Sequence, residues 1–374
     1  MITARRSLLQ GAAAACAGLW LGTARSTQTP SSATTSGSRQ FQPTPGAWRH
    51  FEVTTRVDLP KSEGGTRLWL PVPSLNESWQ ASGVSFFTSN GNARLLSDQQ
   101  QGVRMVYAEF TADTERPFVV LTSQVHTQDR GPSTLAAPQR AAADAATQRL
   151  YTQPTELLPT DGIVRDTALK ATAGASTDVQ KVRAIYEWVV SNSWREPKVR
   201  GCGEGDIKTM LETGNLGGKC ADINALFVGL CRAVGIPARD VYGLRLAPSR
   251  FGYKELSGNS SSLKGAQHCR AEAYVRGHGW MAMDPADVAK VMRLETAEWV
   301  KTVNHPVVKP VFDGLFGGWE GNWLGWNSAH DVALPFSQGP RLGFFMYPVA
   351  ENRNGRLDSY APDDFRYQIT AREV

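Results

Sequence analysis

The stretch GGKCADINALFVGLCRAVGIPARDVYGLRL, residues Gly217–Leu246, decides the fold of this chain. Its two leading glycines allow a tight turn of the backbone. Apolar residues then recur at spacings of three and four, which predicts a helix buried on one face: Ile223, Leu226, Phe227, Leu230 and Val234. The run Gly235-Ile236-Pro237 ends this helix, and the alternation over residues 239–246 predicts a strand.

Cys220 lies at the first turn of that helix. Unpaired N–H groups and the positive end of the helix dipole lower a thiol pKa there, which favours a nucleophile. The later stretch QHCRAEAYVRGHGWMAMDPADV predicts a strand over 267–275, a turn over 277–279 and a returning strand over 280–283. His268 lies on the first strand and Asp284 ends the second, so the hairpin places imidazole beside carboxylate. Cys220, His268 and Asp284 are therefore a candidate catalytic triad.

These motifs resemble the transglutaminase-like superfamily of papain-type cysteine enzymes. The matching features are Gly-Gly-x-Cys entering a helix, RAVGIPAR at 232–239, the His268 strand with Glu272 and Tyr274, and GW…DPAD at 279–287. The resemblance extends over about residues 178–290, with the motifs in the family's order. Family members often carry His-Ala-Trp at the histidine, whereas this chain has His268-Cys269-Arg270, which alters the pocket wall.

The resemblance implies attack of Cys220 on an amide or peptide carbonyl, a thioester intermediate, and His268 and Asp284 as base and orienter. Hydrolysis by a protease or amidase is slightly favoured over transfer to an amine, and neither a metal nor an organic cofactor is implied. In the family an aromatic or amide side chain helps the cysteine N–H bind the oxyanion, and Trp194 occupies that region. The alternatives are a wall tryptophan at 194 and, for the whole chain, a catalytically silent binding or assembly module.

The sequence leaves the roles of other polar residues near the motifs undecided. Asp222 and Asn224 hold the helix start or contact substrate, and Asp287 is an alternative orienter. Adjacent residues on a strand point to opposite faces, so His330-Asp331 is not offered as the dyad. Cys231 is expected in the core, and the sequence leaves the disulfide state of Cys202, Cys231 and Cys269 undecided.

The pattern along the chain predicts an α+β protein, a papain-like core preceded by a β-sandwich-like domain. The predicted segments are a twin-arginine signal (1–24), a flexible linker (25–45), a β-rich domain (46–130), a connector (131–160), the catalytic core (161–290) and a C-terminal extension packed on the core (291–374). Helices are predicted over 161–171, 177–192, 206–212 and 294–303. The Ser/Gly-rich insertion 248–265 is a lid or, more simply, a disordered surface loop. Glycine-spaced tryptophans line a groove or cap the core: Trp319, Trp323 and Trp326.

The N-terminal residues and the net charge limit where the protein is located and which partners it binds. Arg5-Arg6 followed by an apolar segment too short for a membrane span predicts twin-arginine export to the periplasm. The formal net charge of +5 falls to +3 from Arg25 onward, with no Lys/Arg-rich run, which argues against nucleic-acid binding. The expected partners are protein or peptide substrates, with cell-wall peptides among the candidates.

Overall fold

The computed structural model describes residues 39–98, 100–131, 142–363 and 365–374, and the predicted signal lies outside them. The described residues form an α+β structure of mostly antiparallel sheets, which confirms the predicted class. No helix in these ranges has both the length and the apolar character needed to cross a bilayer. The helices are α1 (Ala145–Thr152), α2 (Gly162–Ala171), α3 (Asp178–Asn192), α4 (Ile207–Thr213), α5 (Cys220–Ala233), α6 (Pro285–Leu294) and α7 (Lys309–Gly314).

The strands group into three larger sheets and two small ones. They are β1 (Arg49–Asp58), β2 (Thr66–Val72), β3 (Gln80–Ser89), β4 (Asn92–Ser97), β5 (Arg104–Phe110), β6 (Phe118–Thr127), β7 (Trp194–Arg195), β8 (Gly217–Gly218), β9 (Ala238–Arg245), β10 (Gln267–Val275), β11 (Gly279–Met283), β12 (Phe316–Gly317), β13 (Trp323–Asn327), β14 (His330–Val332), β15 (Leu342–Phe344), β16 (Val349–Asn352), β17 (Gly355–Arg356) and β18 (Tyr367–Glu373).

Helix α5 and the sheet beneath it form the centre of the structure. The sheet has the order β12-β11-β10-β9-β13, so β10, which carries His268, is its middle strand. Helix α5 packs on β9 and β10, and all of its residues are buried. The periodicity predicted a helix that is buried on one face only, but the structure encloses α5 on every side.

The two remaining large sheets join the beginning of the chain to its end. One has the order β18-β1-β6-β3 and the other β17-β16-β2-β5-β4. Strand β18 pairs with β1 over seven residue pairs, and β16 pairs with β2. The predicted N-terminal strands are thus present, but C-terminal strands complete both of their sheets. The domain boundaries themselves stay a prediction.

The segment after Asp284 differs from the predicted helix over 294–303. Helix α6 instead starts at Pro285, directly after Asp284, and ends at Leu294. The Asp284 carboxylate accepts the Asp287 N–H, and proline suits the first helical turn because its missing N–H needs no partner there. This cap sets the helix start nine residues earlier than the predicted start.

The sequence analysis predicted two polar segments to be flexible. In the structure, residues of both are packed against the core. In the insertion 248–265, the side chains of Tyr253, Leu256 and Leu263 are buried, and the Leu263 N–H donates to the Ile369 carbonyl. The prediction of a disordered loop is therefore wrong, because a few apolar side chains anchor a mostly polar stretch. Phe41, inside the predicted linker, is likewise buried against the ring of Phe251.

The glycine-spaced tryptophans are core residues and do not line an open groove. All three are at most 2% exposed: Trp319, Trp323 and Trp326. Trp323 lies on β13 beside β9 and stacks on Trp79, which joins the sheet that carries His268 to the N-terminal strands. Their large apolar area, once removed from water, contributes to folding and not to ligand binding.

Candidate active site

Cys220 begins α5 at a junction of two short strands. Strands β7 and β8 pair in parallel, with Trp194 opposite Gly217 and Arg195 opposite Gly218. A Cβ atom at Gly217 would lie 2.5 Å from the Trp194 indole nitrogen, so this close approach requires glycine. The sequence signal of two glycines before the cysteine therefore reflects a crowded crossing at the helix start.

Asp222 holds the helix start in place. Its carboxylate accepts the N–H groups of Lys219, Glu204 and Gly205 at 2.9, 2.9 and 3.0 Å. An acidic residue in the first turn also complements the helix dipole. Of the two roles left open for Asp222, the hydrogen bonds support the structural one, and they tie the loop 202–205 to the nucleophile helix.

His268 and Asp284 meet across the predicted hairpin. Strands β10 and β11 pair antiparallel, and the His268 Nε2 lies 2.8 Å from the Asp284 Oδ2. Asp284 is fully buried, and its other oxygen accepts the Asp287 N–H at the start of α6. The carboxylate is thus fixed by a helix cap while it faces the imidazole.

Asp287 is a second carboxylate beside the same imidazole. Its Oδ2 lies 3.3 Å from the His268 Nε2, and Arg245 donates to both Asp287 oxygens at 2.5 and 2.6 Å. Burial opposes its ionisation, but Arg245 outweighs burial and holds the pKa of Asp287 well below its usual range. Burial and the neighbouring Asp287 charge raise the pKa of Asp284. The sequence pattern named Asp287 but could not reveal Arg245 as its partner.

The charges around His268 and Cys220 favour a thiolate–imidazolium pair. Burial and Arg245 lower the pKa of His268, but Asp287 and Asp284 outweigh them and raise it to about 9. Burial alone would raise the pKa of Cys220, but hydrogen bonds with Cys202, Cys269 and His268 hold it well below the usual range. An ionised sulfur beside a protonated ring is the arrangement that activates a cysteine.

Neighbouring hydrogen bonds fix the orientation of strand β10 and of the Asp284 carboxylate. Asn224 donates to the Cys269 carbonyl at 2.8 Å and to the Asp284 Oδ1 at 3.3 Å. The indole N–H of Trp323 donates to the His268 carbonyl at 2.8 Å. Arg270, two residues after His268, lies 3.6 Å from Asp284 and above the Trp323 ring. Asn224 therefore links α5 to the strand that carries His268 and to the Asp284 carboxylate.

Two clefts flank the Trp194–Gly217 crossing. One, of about 490 Å³, is bordered by Gly203, Glu204, Gly217, Asp222 and Tyr360. The other, of about 360 Å³, is lined in part by Ser193, Trp194, Met292, Trp299 and Lys301. Cys220 is itself only 3% exposed and is not among the residues that line either cleft. Trp194 is half-buried at their boundary, a position that suits a wall residue as well as an oxyanion donor.

Other candidate residues lie apart from this arrangement. His330 pairs with Asp240, with the ring nitrogen 3.4 Å from the carboxylate, while Asp331 accepts the Glu156 N–H. His330 and Asp331 thus do not form a dyad with each other, as expected. Within the described ranges, one group of side chains has atoms close enough to share a metal: His268, Asp284 and Asp287. Arg245 already compensates the Asp287 charge there.

The sequence did not indicate that two further thiols border the nucleophile. Cys202 and Cys269 both lower the pKa of Cys220, and every cysteine in the described part of the chain is a free thiol. Cys231, on the far part of α5, is buried, which raises its thiol pKa. The motif Gly201-Cys202-Gly203 could have indicated a special turn at Cys202, because glycines are common in such turns. Both glycines have positive φ in the structure.

Comparison with known proteins adds three findings. Residues 165–285 match the family model of the transglutaminase-like superfamily. An uncharacterized protein of Haemophilus influenzae is 34% identical over 342 residues, which cover 87% of this chain and 91% of that protein. Two solved structures align: a candidate cysteine protease of Cytophaga hutchinsonii (TM-score 0.49, 16% identity, 89% of this chain and 99% of that one) and the periplasmic domain of TgpA from Pseudomonas aeruginosa (0.35, 16%, 70% and 98%).

Proposed function

Since this chain belongs to the transglutaminase-like superfamily, we propose that it is a cysteine enzyme acting on amide or peptide carbonyls. Cys220, His268 and Asp284 are its catalytic triad. The observation that carries the proposal is the lowered pKa of a helix-start thiol beside an imidazole that is held 2.8 Å from a buried carboxylate. A structural cysteine in an apolar core has the opposite shift, as Cys231 does on the same helix.

The reaction follows from these positions. The Cys220 thiolate attacks the carbonyl carbon, and a carbon–sulfur bond forms while the oxygen takes the negative charge. The His268 imidazolium then gives its proton to the leaving amine or ammonia, which leaves a thioester. In the second half, water or an amine attacks the thioester carbon and gives a proton to neutral His268. The C–S bond then breaks, which releases the acid or new amide and restores the Cys220 thiolate. Asp284 keeps the ring oriented and stabilises its charged form.

The oxyanion is stabilised by the Cys220 N–H and, in our proposal, by Trp194. The N–H of a first helical residue has no acceptor within its own helix and can point at a ligand. The Trp194 indole nitrogen lies over Gly217, three residues before the nucleophile. The variant Trp194→Phe keeps a ring but removes the donor, so kcat should fall about 10²-fold. An unchanged kcat would assign Trp194 to the cleft wall alone.

We propose hydrolysis as the main outcome, with water resolving the thioester more often than an amine. The substrate is a protein or peptide, with cell-wall peptides among the candidates, and the location is extracytoplasmic. The support for this location is the Arg5-Arg6 motif and the apolar segment after it in the N-terminal sequence. No step in this mechanism requires a metal or an organic cofactor.

The test is an activity profile of the full chain on a peptide library, with and without an added primary amine. Mass spectrometry reports conversion of a carboxamide to a carboxylic acid, or peptide cleavage, for hydrolysis, and incorporation of the amine for transfer. Cys220→Ser is the blank, and Cys231→Ser is the matched control, because it removes a thiol from the same helix outside the site. Equal product from wild type and Cys220→Ser would refute the proposal and favour a catalytically silent binding module.

A further inference from the structure

Three thiols from separate parts of the chain meet at the proposed nucleophile. Cys202 lies in the turn before α4, Cys220 starts α5, and Cys269 follows His268 on β10. All three are buried and none is in a disulfide. The side chains of Cys202 and Cys269 both act electrostatically on that of Cys220. A catalytic cysteine needs one base, so two additional thiols at this point call for an explanation beyond acyl transfer.

The turn that carries Cys202 is attached to the start of α5. The Cys202 carbonyl accepts the Ala221 N–H at 2.9 Å. Gly201 and Gly203, on either side, have φ values of +57° and +91°, and a Cβ at Gly203 would lie 1.8 Å from the Asp222 carboxylate. This geometry excludes other residues at 203 and brings the backbone of Cys202 directly beside that of Cys220.

The Cys202 sulfur has two polar partners besides Cys220. It accepts a hydrogen bond from the Tyr347 hydroxyl at 3.0 Å, and its S–H donates to the Gln267 carbonyl at 3.2 Å. The neighbouring Cys220 and burial raise the pKa of Cys202, whereas the pKa of Cys220 is lowered. The pair therefore combines one ionised sulfur with one thiol that retains its proton.

Cys202 is better placed than Cys269 to move toward Cys220. Cys269 is on the central strand of its sheet, where it pairs with Tyr242, and Asn224 bonds its carbonyl. Cys202 lies in a turn between two glycines. Asp222 holds the N–H groups of residues 204 and 205, but the glycine torsions on either side of Cys202 adjust more easily than a strand paired at the centre of a sheet. Formation of a disulfide requires such adjustment, because its geometry is narrow.

We propose that Cys220 is a site of reversible oxidation and that Cys202 is its resolving thiol, which closes a Cys202–Cys220 disulfide. The oxidant is a hydroperoxide. The Cys220 thiolate attacks the terminal oxygen of the hydroperoxide, an S–OH bond forms as the O–O bond breaks, and the departing oxygen takes a proton from the His268 imidazolium and leaves as an alcohol, or as water from hydrogen peroxide. The Cys202 sulfur then attacks the sulfenic acid, an S–S bond forms, and the hydroxyl group leaves with the Cys202 proton as water. One hydroperoxide is reduced for each disulfide.

The disulfide blocks the reactivity of Cys220 and at the same time protects its sulfur from further oxidation. A sulfenic acid that is not captured goes on to sulfinic and sulfonic acids, which thiol reductants do not reverse. Capture by Cys202 leaves a state that reductant returns to two thiols. The proposal uses only the ionised character of Cys220 and its contact with Cys202, so it does not depend on which carbonyl substrate the enzyme takes.

The test maps oxidation in the full-length Cys231→Ser protein, because Cys220 and Cys231 share the tryptic peptide 220–232. The protein is treated with hydrogen peroxide, blocked with iodoacetamide and digested with trypsin. Peptides 201–208, 220–232 and 265–270 each carry one of the three thiols, so mass spectrometry identifies which are joined. A parallel sample is reduced with dithiothreitol, and free Cys220 is then counted. Cys202→Ser and Cys269→Ser are added in the same background.

The expected product is peptide 201–208 joined to 220–232, with about nine-tenths of the free Cys220 regained after reduction. Cys202→Ser should give sulfinic and sulfonic acid on Cys220, with less than about a tenth regained, whereas Cys269→Ser should behave like its parent. Joining of 220–232 to 265–270, full recovery in Cys202→Ser, or no disulfide at all would overturn the proposal. If Cys202→Ser does not fold, the mapping of the parent decides by itself. Acyl-transfer activity is measured separately, so either proposal can fail alone.

Discussion

Replacement of His268 by alanine tests the charge state of the proposed nucleophile most directly. The ring of His268 is both a hydrogen-bond partner of Cys220 and a positive charge beside it, and both effects lower the thiol pKa. Cys202 and Cys269 contribute in the same direction, and they remain in the variant. His268→Ala should therefore raise the pKa of Cys220 in part and leave the thiol still influenced by its sulfur neighbours.

The size of the effect follows from one charged hydrogen bond. Such a bond contributes about 1.5–3 kcal/mol, and one pKa unit corresponds to about 1.36 kcal/mol. The variant should shift the pKa of Cys220 upward by about one to two units. At a pH below both values, the thiolate fraction and the alkylation rate should fall roughly 10- to 100-fold, and the difference should vanish at high pH.

The assay is the rate of iodoacetamide labelling of Cys220 between pH 5 and pH 10, read by mass spectrometry of its tryptic peptide. Cys231 in that peptide is an internal standard, since burial raises its pKa and it should label slowly in every sample. His330→Ala is the matched control, because it removes another buried histidine, paired with Asp240, away from the site. Unfolding in urea confirms that both variants are folded.

Two results would refute the reasoning. If His268→Ala and wild type label Cys220 with the same pH profile, the imidazole does not act on the sulfur. If wild-type Cys220 labels no faster than Cys231 near pH 7, the thiol is an ordinary buried one, and the enzymatic proposal loses its main support. A fall in His330→Ala of the same size as in His268→Ala would show a general structural effect.

Three substitutions around the site have distinct expected outcomes. Asp284→Asn keeps the oxygen that caps α6 but removes the partner of the imidazole, so the activity at pH 7 should fall at least about tenfold. Because Asp284 raises the pKa of His268, the loss of activity above pH 9 should also move to lower pH in a pH–rate profile. Asp287→Ala leaves Arg245 buried without its carboxylate and should cost about 3–5 kcal/mol in urea unfolding, and a loss under 1 kcal/mol would contradict this. Asp222→Ala removes the acceptor of three backbone N–H groups and should cost about 2–4 kcal/mol, with Asp206→Ala, a half-buried helix cap, losing about 1 kcal/mol as the comparison.

The sheets show why local sequence patterns predicted the positions of strands better than they predicted which strands pair. Alternation identified strands in the first 130 residues and a last strand near residue 370, because each pattern is a property of a few consecutive residues. That β18 pairs with β1, more than 300 residues away, depends on long-range packing that no local pattern encodes. The tryptophans at 319, 323 and 326 have the same limitation, since glycine spacing is compatible with both a groove and a core.

The sequence alone determined which residues begin the nucleophile helix, that a hairpin carries His268 and Asp284, and therefore which side chains are the candidate triad. These follow from turn chemistry and periodicity over short distances. Only the tertiary structure decided that Arg245 locks Asp287 beside the same imidazole, that Asn224 links the helix to the hairpin, and that Cys202 borders the thiol. Electrostatic and hydrogen-bond partners are set by distances through space, and residues 18 to 60 positions apart come into contact only after the core has packed.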